Sequence, residues 1–276
     1  MVAGPNGSGK STLIAAIRAD PRFALPALYI NADDLQREQD IRDARDAQHL
    51  ATDLRIRALA KRQDVMYETV MSHPSKIGEL QAAKNAGYHI TVLLVATGDP
   101  NINVQRVAVR VAAGGHDVPE DRTRSRYIRT LALAPVAIGY ADQAFVFDNT
   151  HSGEAGGGLN QQAGLAGDRL AITGHTTASW VTLLIEQVSE RVVEMSALTK
   201  HARSSGLLPQ LAGLQDSQTA GPLIEVGKHY VMQYDELSNT SVLHDRALLG
   251  SMAARFVAGL VVDIRYHEGV ASERAQ

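Results

Sequence analysis

Residues Gly4 to Ser11 read GPNGSGKS, a complete G-x-x-x-x-G-K-[ST] pattern, and no other stretch restricts the possible folds of this chain so strongly. Such a segment joins a strand to a helix. Its glycines let the backbone wrap a polyphosphate with amide hydrogens pointing inward, Lys10 reaches the β- and γ-phosphates, and the Ser11 hydroxyl sits on Mg²⁺. The helix that follows, STLIAAIRAD, adds the positive end of its dipole beneath the phosphates. Gly4, Asn6, Gly7, Ser8, Gly9, Lys10, Ser11 and Thr12 are therefore the expected nucleotide-binding residues, with Ser11 as the metal contact. Only Met1, Val2 and Ala3 stand where a strand of about five residues is expected, so either that strand is short or the start lies a few residues late.

Apolar periodicity extends the strand–helix alternation. Strands are expected at Ala27 to Asn31, Asp64 to Val70, Tyr88 to Thr97 and Gln143 to Asn149; the third is a continuous apolar run suited to a central strand covered on both faces. Helices are expected over Ile41 to Gln63, from Pro74-Ser75 to Gly87, and over about 101–113 and 119–139. This order predicts a three-layer α/β domain with a mainly parallel sheet, the architecture of phosphate-loop kinases. Residues 151–167 turn to glycine, glutamine and serine and read as a loop. A last strand at 169–173 and a helix over 177–201 complete a first domain of residues 1–202. Residues 203–222, rich in Gly, Ser, Gln and Pro, read as a linker, and 223–276 as a small β module.

Composition limits the alternatives. A net charge of −3 argues against a general nucleic-acid or membrane-surface binder. No apolar run approaches the roughly 20 residues that cross a bilayer. The absence of cysteine excludes disulfides, thiol catalysis and Cys-ligated zinc, and fits a cytoplasmic protein.

The remaining ionisable residues refine the chemistry. No guanine-reading N/T-K-x-D sequence is present, and no long apolar strand ends in an Asp-Glu pair. A small-molecule kinase needs a carboxylate near the acceptor hydroxyl, an acceptor pocket, and cations around the moving phosphoryl group. In YINADDLQ, Asp33 or Asp34 follows the second strand, where strand ends face the ligand crevice. One of the two is expected to cap the next helix, and Asp33 is the preferred base. Glu68 and Thr69 end the third strand on the same rim and suit acceptor binding. Six arginines lie between residues 106 and 129; Arg106 and Arg110, and Arg122 and Arg126, are spaced four apart on successive helices that form a candidate lid. His229, His244 and His267 lack ligand spacing and read as surface histidines, while His73 and His116 have no evident partner.

GPNGSGKST, INADDL, YETVMSHPSK, the run from Gly87 to Tyr127 and FVFDN, in this order, resemble the zeta toxin kinases over roughly residues 1–200. The resemblance implies transfer of the γ-phosphate of ATP or GTP, with Mg²⁺, to the 3′-hydroxyl of the amino sugar of UDP-N-acetylglucosamine, and an antitoxin partner that obstructs the nucleotide site. It further implies Lys10 and Ser11 as phosphate and magnesium contacts, Asp33 as the base, Glu68 and Thr69 in the sugar-nucleotide pocket, and Arg110 as one charge-stabilising arginine. Arg126 is the preferred second, over Arg122 and Arg124. GKHYVMQY, VLHDRALL and VVDIRYHEG resemble a KfrB-type module of plasmid-borne proteins. The alternatives are a kinase of another small molecule or of a polynucleotide end, and an inactive plasmid-maintenance binding protein.

Overall fold

The computed structural model describes all residues except 22–24, 116, 152–157, 175–176 and 274–276. Its first half is organised by one seven-stranded sheet in the order β2-β3-β1-β4-β5-β6-β7. These strands are β1 (Val2–Ala3), β2 (Leu28–Ile30), β3 (Val65–Thr69), β4 (Thr91–Ala96), β5 (Gln143–Asp148), β6 (Asn160–Ala166) and β7 (Arg169–Ile172). β1 to β5 run parallel, and β6 and β7 extend the sheet antiparallel.

Although β1 has two residues, it lies between β3 and β4 and pairs with both, Val2 opposite Glu68 and Leu93. Both of its side chains are fully buried, which compensates for its length. β4 is the middle strand, as its apolar run predicts: Val92, Leu94 and Ala96 enter one core and Val95 the opposite one.

Helices cover both faces. α1 (Lys10–Ala19) buries Leu13, Ile14 and Ile17 against Val2, Met66 and Val95. Removing each such side chain from water contributes about 1.5–3 kcal/mol. On the other face lie α4 (Ser75–Asn85), α6 (Glu120–Tyr140) and α7 (Ser179–Ser204). α2 (Ala32–Glu38), α3 (Ala44–Ala60) and α5 (Pro100–Ala112) flank the sheet, and each is capped by a side chain: Asn31, Asp43 and Asp99 accept from the second amide beyond them. No helix among the described residues is long and apolar enough to cross a membrane.

The second half builds a six-stranded sheet, β13-β12-β9-β10-β11-β8. It comprises β8 (Leu208–Leu211), β9 (Ser217–Val226), β10 (Tyr230–Asp235), β11 (Thr240–Asp245), β12 (Val261–His267) and β13 (Val270–Glu273), antiparallel except for the β11–β8 pair. Three expectations are corrected. Residues 160–166 form β6, because its partner β5 and the buried Ala163 outweigh a loop-like composition. Residues 203–222 contain the end of α7, all of β8 and the start of β9, so this stretch is sheet and core where a linker was expected. His244 is fully buried, stacked on Tyr266 with ring centroids 5.8 Å apart, and burial pushes its pKa down to about 3. His229 and His267 pair with Glu190 and Asp216, and no metal cluster exists among the described residues.

One hydrophobic core runs through both halves, from Leu80, Leu133 and Ile138 to Leu214, Leu223 and Val242. Beside this core, a cavity of about 530 Å³ opens between α6, α7 and the second sheet, lined by residues including Tyr140, Val188, Arg191 and Leu243. It contains none of the residues singled out from the phosphate loop, β3 or α5.

Candidate functional site

The parallel strands end on one edge of the first sheet, and the loop Gly4 to Gly9 follows β1 there, between the ends of β3 and β4. Gly9 and Gly7 have φ of 100° and 74°. A Cβ on Gly9 would lie 2.1 Å from Asn149 Nδ2, and one on Gly7 would lie 2.6 Å from the Asn103 carbonyl. Only glycine fits such close approaches at positive φ. The walls that press on the loop also fix it. Asn149 Nδ2 donates to the Ser8 carbonyl (2.8 Å), Asn103 Nδ2 to the Asn6 carbonyl (2.6 Å), and the Gly4 amide to the Thr69 carbonyl (3.2 Å).

α1 differs from α2, α3 and α5 in lacking a side-chain cap, and its first turn carries no acid. Its first amides and the adjoining dipole thus remain available to an anion. The buried Ser8 hydroxyl has no partner among the described residues, and the Ser11 and Thr12 side chains face solvent at the same end. Lys10 Nζ folds back onto the carbonyls of Gly4 (3.0 Å) and Pro5 (3.1 Å), donors turned to its own loop where phosphate oxygens would receive them. These are the features of a polyphosphate cradle, and with the exposed Ser11 hydroxyl they fit Mg²⁺-nucleotide.

Four of the predicted residues act electrostatically on Lys10. Burial lowers its pKa; the charges of Glu68 and Asp33 act in the opposite sense, and those of Arg110 and Arg126 add to the lowering. All four side chains, from β3, α2, α5 and α6, are thus close enough to act on one ammonium. Glu68 Oε1 lies 3.8 Å from Lys10 Nζ. Burial holds the Glu68 pKa above the usual carboxylate value, against the pull of Lys10 and of a hydrogen bond from Tyr29. Its Oε2 accepts from Tyr29 Oη and Asn31 Nδ2, both at 3.3 Å.

Neither aspartate of YINADDLQ caps α2. That role belongs to Asn31, whose Oδ1 accepts from the Asp33 amide (2.8 Å) while its Nδ2 reaches Glu68. Asp34 pairs with Arg37, and the exposed Asp33 carboxylate acts electrostatically on Lys10. Thr69 lies on the rim with its Oγ1 accepting from the Met71 amide (3.1 Å).

The arginines separate by role in the packing. Arg126 Nη1 donates to Asn6 Oδ1 (3.3 Å), on the phosphate loop itself. Arg124 is turned to Glu120 (2.7 Å) and Asn101 (2.7 Å), away from the loop. Arg122 is exposed and acts on Arg126 as a neighbouring charge. Arg106 donates to the Thr150 carbonyl (3.2 Å). His116 lies outside the described residues, and His73 bonds Ser75 (2.9 Å).

Sequence reasoning missed Tyr29, Asn31, Asn103 and Asn149. Asn31 and Asn149 carried a signal, each ending an expected strand; Tyr29 and Asn103 are ordinary polar residues until folding brings them together. Asp148, which ends β5, is likewise buried under bonds from Trp180 Nε1 (2.8 Å) and Thr150 Oγ1 (2.6 Å).

A Haemophilus influenzae protein described as uncharacterized is 30% identical over 124 residues, 45% of this chain and 88% of that one. Among solved structures, a candidate kinase from Chloroflexus aurantiacus J-10-fl is 17% identical with a TM-score of 0.41, over 56% of this chain and 89% of that one. A structure from the PezAT chromosomal toxin–antitoxin system of Streptococcus pneumoniae is 14% identical with a TM-score of 0.39, over 70% and 85%. The decisive match is in sequence: the zeta toxin family description fits residues 1–142, more than half the chain and the whole segment that carries the phosphate loop, Asp33, Glu68 and the arginines from Arg106 to Arg129. The chain belongs to the zeta toxin family and is a phosphotransferase of the phosphate-loop kinase type.

Proposed function

We propose that the protein transfers the γ-phosphate of ATP to the 3′-hydroxyl of the amino sugar of UDP-N-acetylglucosamine. The observation that carries this reading is the phosphate cradle with Glu68 Oε1 3.8 Å from Lys10 Nζ and Arg126 Nη1 bonded to Asn6 Oδ1 (3.3 Å) on the loop itself. In this reading Asp33 is the base, Glu68 the acceptor carboxylate, and Arg110 and Arg126 the two cations beside the phosphate cradle.

In this mechanism the amides of Gly7 to Thr12 and Lys10 hold the β- and γ-phosphates of the donor, with Asn6 and Ser8 shaping the cradle. Ser11 would hold Mg²⁺, which supplies neutralisation of phosphate charge when bound. Glu68 accepts a hydroxyl of the sugar, and Thr69 lies beside it on the rim. The Asp33 carboxylate takes the proton of the 3′-hydroxyl as that oxygen bonds to the γ-phosphorus. The bond from this phosphorus to the β–γ bridging oxygen breaks, and ADP leaves with the electron pair. Arg110 and Arg126 face the charge that spreads over the transferring group. Donors fixed in place before reaction lose little energy in reorganising, which supports the arginine roles.

The family also supports a protein antitoxin as partner, covering the nucleotide cleft; the cleft opens to solvent at Ser11, Thr12 and Asp33. Net charge of −3 favours neither nucleic acid nor a membrane surface as partner, and the reaction fits the cytoplasm, where both nucleotides are found. The assay is direct. Purified protein with Mg-ATP and UDP-N-acetylglucosamine should yield a product heavier by one phosphoryl group, located on the 3′-oxygen by NMR. Binding of ATP without such a product would sink the acceptor assignment and leave the kinase scaffold.

A further inference from the structure

The family match ends at residue 142, yet the second sheet also reaches back to the start of α4, next to the β3–α4 connection that carries Thr69 into residues 70–74. That connection is tightly constrained. Met71 is fully buried in a left-handed conformation (φ 54°), a strained state for a residue with a side chain. The Thr69 hydroxyl holds its amide, and Thr130 Oγ1 donates to the Val70 carbonyl (2.7 Å).

Beyond Met71 the support comes from the C-terminal sheet. Gly269, at the turn between β12 and β13, has φ 79° and bonds the Leu214 carbonyl (2.7 Å). A Cβ there would lie 2.4 Å from the Pro74 carbonyl oxygen and 3.0 Å from Ser75 Cα, so the turn presses backbone to backbone on the start of α4. One helical turn further on, a Cβ at Gly78 would meet the Gly269 amide at 3.1 Å. Another turn along, the buried Gln81 donates to the Ala212 carbonyl (2.8 Å) and accepts from the Leu214 amide (2.6 Å). Glu268, beside Gly269, acts electrostatically on both His73 and Lys76.

We propose that the C-terminal sheet is a brace for the acceptor side of the site: the Gly269 turn and the Gln81 amide fix α4 and the β3–α4 connection, and through them Glu68 and Thr69. Gly269 and Gln81 are positioning residues, and the second half of the chain is part of the catalytic unit. The inference rests on the acceptor role proposed for Glu68 and Thr69. Small displacements of such residues are costly, since a misplacement of about 1 Å can cost on the order of a hundredfold in rate.

The test compares two glycines of one module. Gly269→Ala adds a methyl group against Pro74, whereas Gly259→Ala places the same group at a comparable φ (86°) with nothing within 4 Å. With UDP-N-acetylglucosamine as acceptor, Gly269→Ala should raise its KM about tenfold and leave the affinity for a fluorescent ATP analogue within about twofold, while Gly259→Ala changes neither. Amide exchange over residues 69–76 should quicken in the first variant alone. Equal KM and equal exchange in the two variants would overturn the brace. Should the wild type fail to phosphorylate this acceptor, the functional reading falls, and the exchange comparison still decides the brace. Should Gly269→Ala not fold, Gln81→Met reads the same contact from α4: faster exchange at 69–76 supports it, and unchanged exchange overturns it.

Discussion

The two sheets handle polar residues in opposite ways. In the first, ionisable groups stand at strand ends on one edge: Lys10 after β1, Asp33 after β2, Glu68 near the end of β3. In the second, polar groups lie within strands and inside the core, as with Gln233 and His244. Gln233 spends its amide on the Gly221 and Val262 carbonyls (3.0 and 2.9 Å), and His244 on the Tyr266 hydroxyl (3.2 Å). The contrast teaches where to look for chemistry. At the strand ends donors and acceptors remain for a ligand, whereas mid-strand ones hold the protein to itself.

If the strand-end groups do chemistry, removing them should cost rate before stability. The largest loss is expected for Asp33→Asn, about 10²–10⁴ in kcat with nucleotide affinity retained, measured by steady-state kinetics and ATP binding. Loss of ATP affinity with unchanged kcat would remove Asp33 from the base role. Lys10→Ala follows, at roughly 10²–10³ in kcat/KM for ATP with the melting temperature close to wild type. Glu68→Gln sharpens the division between donor and acceptor sides: a roughly tenfold rise in acceptor KM is expected, with ATP binding little changed.

For the mid-strand groups the order reverses, and stability should respond first. His244 stays neutral when folded down to about pH 3, while the unfolded chain protonates it below its ordinary value of 6.5. The unfolded state then binds more protons, so stability falls as pH drops from 6.5 towards 3, by about 1.4 kcal/mol per pH unit from this group. Denaturant midpoints across that range for wild type and His244→Phe should show the slope reduced in the variant. An unchanged slope would mean that His244 is not the group responsible.

Much of the first half was legible beforehand. The phosphate loop, the mainly parallel sheet and the central place of β4 follow from short-range patterns, a motif and apolar alternation, whereas Asp33, Glu68, Arg110 and Arg126 were singled out from strand-end position, helical spacing and the family resemblance. The second half was read less well. Glycine, serine and glutamine at 203–222 signalled a linker, but β9 lies between β12 and β10, and those partners supply its hydrogen bonds whatever its intrinsic preference. His244 was expected at the surface because a histidine in a strand gives no sign of which face is covered.

By itself, the sequence determined what depends on neighbours along the chain: a glycine-lined loop able to adopt positive φ, a helix beginning at Lys10, and apolar runs long enough to be buried strands. Tertiary structure alone decided what depends on groups meeting through space. Asn6 meets Asn103 and Arg126, and Ser8 meets Asn149, across separations of 97, 120 and 141 residues. It also decided that Asn31 caps α2, which left both aspartates uncommitted to that cap, and that a turn near the far end of the chain presses on the start of α4. The physical reason is that a hydrogen bond or a close contact is fixed by distance in space, which local sequence patterns do not encode.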